Sequence, residues 1–175
     1  EVTLEEVIDY VKPTVLIGCS TVTGAFTETI VRKMASYCER PIIFPLSNPT
    51  SKAEAVPADL MNWSDGRAII ATGSPFAPVE YKGSHFRIAQ CNNAFIFPGL
   101  GLGVIAAKAQ RVTDNMLVAA CNALSECSPI LKDSAAPLLP DFDDVHKVSR
   151  HIAMAVAKQA EQDGVSGVTS PAEWG

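Results

Sequence analysis

Three apolar runs of strand length recur in the first half of the chain, each closed by small or polar residues: TVLIGCS (14–20), PIIFPLS (41–47) and AIIATGS (68–74). They are nearly continuous rather than alternating, the pattern of strands buried on both faces of a parallel sheet. Helical patterns lie between them. FTETIVRKMASYCE (26–39) puts Ile30, Met34, Tyr37 and Cys38 on one side, with Thr27 placed as N-cap. PADLMNW (57–63) opens with Pro57, which suits a first helical turn. Ahead of the first run, TLEEVIDYV (3–11) sets Leu4, Val7, Ile8 and Val11 on a helical stripe. Helix, strand, helix, strand, short helix, strand is the order of βαβ units. The expected fold class is α/β, part of a doubly wound, Rossmann-like parallel sheet.

The second half changes character and reads as a carboxyl-terminal helical layer. PGLGLGVIAAKA (98–109) spaces Gly99, Gly103 and Ala107 four apart, a face that lets another helix approach closely. TDNMLVAACNALSEC (113–127) has Thr113 as N-cap and repeats Met116, Leu117, Ala120 and Leu124. DFDDVHKVSRHIAMAVAKQAEQDG (141–164) carries Val145, Val148, Ile152 and Val156 on one stripe, begins with acids and ends in glycine. The proline-bearing stretch 128–140 reads as irregular. Residues 1–165 form the expected folded region, and the Ser/Gly/Pro-rich 166–175 a loose tail. The chain opens at Glu1, without methionine and already in a helical pattern, as a segment of a longer protein would.

Composition narrows the function classes. In 175 residues, 47% hydrophobic and 19% charged, there is enough apolar material for a core and no sign of disorder. The apolar stretches, about seven residues at most, are too short to cross a bilayer. A formal net charge of −5 without a Lys/Arg cluster argues against nucleic acid. The five cysteines form no CxxC pair and the three histidines lie far from them, so no zinc pattern emerges. Free thiols point to a reducing cytoplasm.

Ligands of an open parallel sheet bind at the carboxyl ends of its strands. CSTVTG, SNPT and GSPF follow the three runs and would share one edge. At SNPT two readings stand side by side. Asn48 either closes an Asx turn on its own backbone or offers its amide to a bound sugar or carboxamide. CNN (91–93) sets Asn92 and Asn93 before AFIFPG, where they could hold a carboxylate or hydroxyl without adding charge, or where Asn93 could cap a helix. GLGLG (99–103) lacks the last glycine of a dinucleotide fingerprint, having Val104 there, and reads as helix packing. Ser20 has no histidine suggestively placed to make it a hydrolase nucleophile. His146 and His151 read as surface positions, His85 as a loop residue, and Asp141, Asp143 and Asp144 as a helix cap.

Taken together and in order, IGCSTVTGAFTETIVRKM, RPIIFPLSNPTSKAEA, ATGSPFAPV, AQCNNAFIFPGLGLGVIA and VHKVSRHIAMAVAKQA resemble the carboxyl-terminal part of malic enzymes, most closely the bacterial NAD-linked type. The likeness spans residues 4–165, with Cys91 standing where many members have glycine. It implies the distal part of an NAD-binding domain. By that resemblance Asn48, with Ser47, lies on the nicotinamide side of the cofactor. Asn92 and Asn93 reach malate, with Asn93 the direct contact.

The resemblance also implies NAD as cofactor, with NADP open. It implies Mg²⁺ or Mn²⁺ in the whole enzyme, malate as substrate and a homo-oligomeric parent. The family's tyrosine acid, lysine base, metal ligands and glycine-rich turn match nothing in this stretch, so no catalytic or metal residue is assigned. Two other readings are a malolactic-type relative that holds NAD, and a stand-alone nucleotide-binding or interaction module of the same fold.

Overall fold

A computed structural model describes residues 2–168. They divide into two units, one of residues 2–92 with 132–139, the other of residues 93–131 with 140 onward.

In the first unit, helix α1 (Leu4–Val11) begins at a capping box in which Thr3 and Glu6 bond each other's backbone. Strand β1 (Val15–Gly18), helix α2 (Glu28–Tyr37) and strand β2 (Ile42–Pro45) follow, then helix α3 (Pro57–Trp63) and strand β3 (Ile69–Thr72). Thr27 caps α2, its hydroxyl accepting from the Ile30 N–H at 3.4 Å. The three strands are parallel neighbours, with Val15 beside Ile42 and Ile42 beside Ile69. The alternating order is therefore the expected one.

Two additions were not read from the sequence. Strand β4 (Val79–Tyr81) and strand β5 (Ser84–Phe86) form an antiparallel hairpin, and strand β6 (Ala89–Gln90) joins the main sheet beside β3, giving β1-β2-β3-β6. The core of the unit gathers Ile8, Leu16, Ile30, Val31, Met34, Ile43, Leu60 and Ile70.

The apolar stripes needed correction. In α1 only Ile8 is buried, while Leu4, Val7 and Val11 are exposed. In β1 the burial alternates: Leu16 and Gly18 face the core, and Val15 and Ile17 are exposed. One face of this strand thus lacks the cover that its continuous apolar run led us to expect.

The second unit is helical. Helix α4 (Phe97–Ala106), helix α5 (Asp114–Glu126) and helix α6 (Val145–Gln162) pack on one another, α6 touching both others. A Cβ on Gly99 would lie 2.6 Å from Ile152 Cβ, and one on Gly103 2.7 Å from the Ala153 carbonyl oxygen, so these glycines serve close helix packing. Thr113 caps α5, accepting from the Met116 N–H at 3.2 Å. On α5, Met116, Ala120 and Ala123 are buried, but Leu117 is exposed. On α6, Val148, Ile152 and Val156 are buried as the stripe requires.

The looseness expected from residue 166 onward does not hold for residues 166–168, which stay fastened to the helical unit beside Val165. Val165 and Val168 are buried, and the Gly167 N–H donates to the Ala107 carbonyl at 2.9 Å. The remainder of the expected tail, 169–175, lies outside the described residues. Among the described residues no helix is long and apolar enough to cross a membrane.

Candidate functional site

Parallel pairing puts the carboxyl ends of β1, β2, β3 and β6 on one edge, and each end leads into a polar segment. After β3 the chain passes so close to the exit of β2 that a Cβ on Gly73 would lie 2.0 Å from the Leu46 carbonyl oxygen; only glycine fits there. Ser74 follows, buried, and its hydroxyl donates to Asn48 Oδ1 across the two loops. The Ser74 carbonyl is held in turn by Thr72 Oγ1 at 2.8 Å, and the Gly73 carbonyl by Gln90 Nε2 at 3.2 Å.

Asn48 is exposed, and its bond goes to Ser74 rather than to its own backbone, which sets the Asx-turn alternative aside. The Ser74 hydroxyl engages Asn48 Oδ1, and the amide keeps its two N–H groups as donors.

Ser47 sits beneath it, buried, with its hydroxyl committed inside the fold. It donates to Glu54 Oε1 at 2.5 Å and accepts from the Thr21 N–H at 2.9 Å. Glu54 is fully buried and was missed in the sequence. It also accepts from the Ser20 N–H at 2.7 Å, the Ser20 hydroxyl at 3.0 Å and the Ser47 N–H at 3.4 Å. Burial pushes this carboxyl up, but the bonds from Ser47 and Ser20 together outweigh it and hold it below its usual 4.5. Its one sequence signal was a lone acid among the buried alanines Ala53 and Ala55.

Asn92 follows β6 on the same edge, exposed. Asn93 is also exposed and opens a short 3₁₀ turn, Asn93–Phe95, in which its carbonyl accepts from the Ile96 N–H at 3.1 Å. Behind it Phe95 is buried against Phe142, ring centroids 4.7 Å apart. Helix α4 takes Ile96 as N-cap with no side-chain bond, so Asn93 does not cap it.

Other sequence candidates have partners of their own. His151 pairs with Glu126 at 2.8 Å on the surface, His85 lies 3.4 Å from Glu80, and Asp141 accepts from the Asp143 N–H as a cap does. Among the described residues no three His, Cys, Asp or Glu side chains group as metal ligands.

The chain matches the family described as malic enzyme, NAD binding domain, over residues 1–161. It is 59% identical over 172 residues to the NAD-dependent malic enzyme of Aeromonas hydrophila, covering 98% of this chain and 30% of that protein. The NAD-dependent malic enzyme of Sodalis glossinidius is 57% identical over 169 residues, with 97% and 30% covered. Among solved structures, Entamoeba histolytica malic enzyme superposes with a TM-score of 0.74 at 31% identity, over 91% of this chain and 29% of that one. Malic enzyme from Pyrococcus horikoshii gives 0.70 at 27% identity, over 92% and 33%. This chain thus spans about 30% of the length of the curated relatives it matches. With 161 residues in register with the family and an α/β sheet of the matching fold, the chain belongs to the malic enzyme family, within its NAD-binding domain.

Proposed function

We propose that this chain is the distal part of the NAD-binding domain of a longer malic enzyme, and that its strand-end edge forms a wall of the cofactor and substrate site. The reaction of the whole protein is oxidation of malate at C2, followed by loss of CO₂ and protonation of the resulting enolate to pyruvate. NAD, when bound, accepts the hydride from C2. The divalent metal, the acid and the base come from the rest of that protein, which we place in the cytoplasm as a homo-oligomer.

The observation that carries the reading is the bond from Ser74 to Asn48 across the two strand-end loops. Asn48 is exposed and its carbonyl oxygen is held by Ser74, so its N–H groups are the donors it has to offer to the carbonyl of a nicotinamide amide or to a ribose hydroxyl. Ser47 belongs to the same cofactor wall and holds the loop that presents Asn48. Asn92 and Asn93 take the substrate, Asn93 donating to a malate carboxylate.

Substitution in the full-length protein separates these roles. Asn93→Ala should raise the malate KM or lower kcat, and Asn48→Ala should act through NAD. Asn93→Ala should cost about ten- to a hundredfold in kcat/KM, as for a lost bond to a charged group, and Asn48→Ala about three- to tenfold, as for a lost bond to a neutral one. Melting temperatures should stay near that of the parent. A purely thermal defect in both variants, with kinetic constants unmoved, would overturn the assignment.

A further inference from the structure

We propose that Glu54 is a positioning residue, whose buried carboxylate ties the segment after β1 to the segment after β2 and holds both in the shape that meets NAD. The inference rests on the cofactor reading above.

Four donors from two strand ends converge on this one side chain: the backbone N–H and hydroxyl of Ser20, and the backbone N–H and hydroxyl of Ser47. Among the described residues no cation joins them; all four donors are neutral. A buried carboxylate that accepts only from neutral donors is held by their geometry, so it fixes where those donors stand. The backbone of Glu54 adds to the tie, its carbonyl accepting from the Phe26 N–H at 3.0 Å. The site is also built to admit the side chain. A Cβ on Gly18 would lie 2.5 Å from Glu54 Cδ, so a side chain at the end of β1 would force the carboxylate to shift.

The conformation held in this way is an unusual one. Thr21 has φ 58°, in the left-handed region that a β-branched residue rarely enters. Its N–H is retained by Ser47 Oγ, the same hydroxyl that donates to Glu54. A chain of bonds thus runs from Glu54 through Ser47 to Thr21, while Val22 N–H and Thr23 Oγ1 fasten the next residues to Ser20 Oγ and the Ser51 carbonyl at 3.2 and 2.7 Å. Ser47 is also the immediate neighbour of Asn48. Loss of the carboxylate should therefore loosen the segment after β1 and displace Asn48, without touching the core of the sheet.

The test uses the full-length protein. Glu54→Ala should raise the NAD KM about tenfold while the malate KM stays within about twofold. Amide hydrogen exchange across residues 19–24 should quicken about tenfold or more, with β2 and β3 unchanged. Glu54→Gln keeps an oxygen for the Ser20 and Ser47 hydroxyls and should return the NAD KM to within about threefold of the parent. Should Glu54→Ala fail to fold, Ser47→Ala carries the same expectation, since it cuts the chain between Glu54 and Thr21. An NAD KM raised by Asn48→Ala but not by Glu54→Ala or Ser47→Ala defeats this inference alone. An NAD KM unmoved by any of them defeats the cofactor reading and this inference together. A lowered melting temperature with exchange at 19–24 unchanged also overturns it, because Glu54 would then be only a core contact.

Discussion

A carboxamide donates and accepts at once, so an asparagine at a strand end does not by itself reveal which of its atoms meets a ligand. Ser74 donates to the oxygen of Asn48, which on the cofactor reading leaves the N–H groups for the ligand, and Gly73 makes the approach possible by having no side chain. Ser74→Ala should therefore free the Asn48 amide to rotate and raise the NAD KM of the full-length protein by about three- to tenfold, the value of one neutral hydrogen bond. Because the two residues act as one unit, Ser74→Ala in an Asn48→Ala background should add almost nothing, giving a large coupling in a double-mutant cycle. Additive effects on the NAD KM, or a change confined to melting temperature, would show that Ser74 does not orient Asn48.

Elements were legible where their own periodicity decided them. The small-residue spacing of α4 is such a case, and it can be tested within one helix. Gly99→Ala would press a methyl group against Ile152 and the Ser149 carbonyl, both within 2.8 Å, and should cost about 1–3 kcal/mol as overpacking does. Gly101→Ala, two residues on, meets nothing within 4 Å and should stabilise by about 0.5–1 kcal/mol through helix propensity. Denaturant midpoints for the two variants check the pair; equal effects would contradict the packing role.

The elements that escaped the sequence are those whose evidence lies elsewhere in the chain. The hairpin of β4 and β5 turns on Lys82 and Gly83, both at positive φ, where the commoner signal would be Asn-Gly. Strand β6 has two residues and exists only through its pairing with β3. Glu54 was unreadable for the same reason: its donors lie 7 and 34 residues away. Asn48, Asn92 and Asn93 could be singled out locally because amides beside apolar runs are anomalous, but their orientation depends on partners such as Ser74 that only the fold supplies.

At the scale of the whole molecule, one face of the sheet contradicts its own sequence. Val15, Ile17, Ile42, Phe44 and Ile69 share that face, with Val15 and Ile17 exposed and the others half-buried. A continuous apolar strand is the mark of burial on both sides, and a doubly wound sheet carries cover on both. The relatives are more than three times as long as the stretch this chain matches, since it spans 30% of them, and that remaining length is ample to supply the cover. We therefore expect Ile17, 56% exposed here, to be buried in the full-length enzyme. Ile17→Glu in that protein should cost about 2 kcal/mol or more, the penalty for an unpaired buried charge set on top of the lost apolar burial. A solvent-facing site would instead move by no more than about 0.5 kcal/mol. The quantity to measure is the urea midpoint of the full-length protein at unchanged slope. A midpoint indistinguishable from the parent's would mean that the face stays open to water even in the whole enzyme.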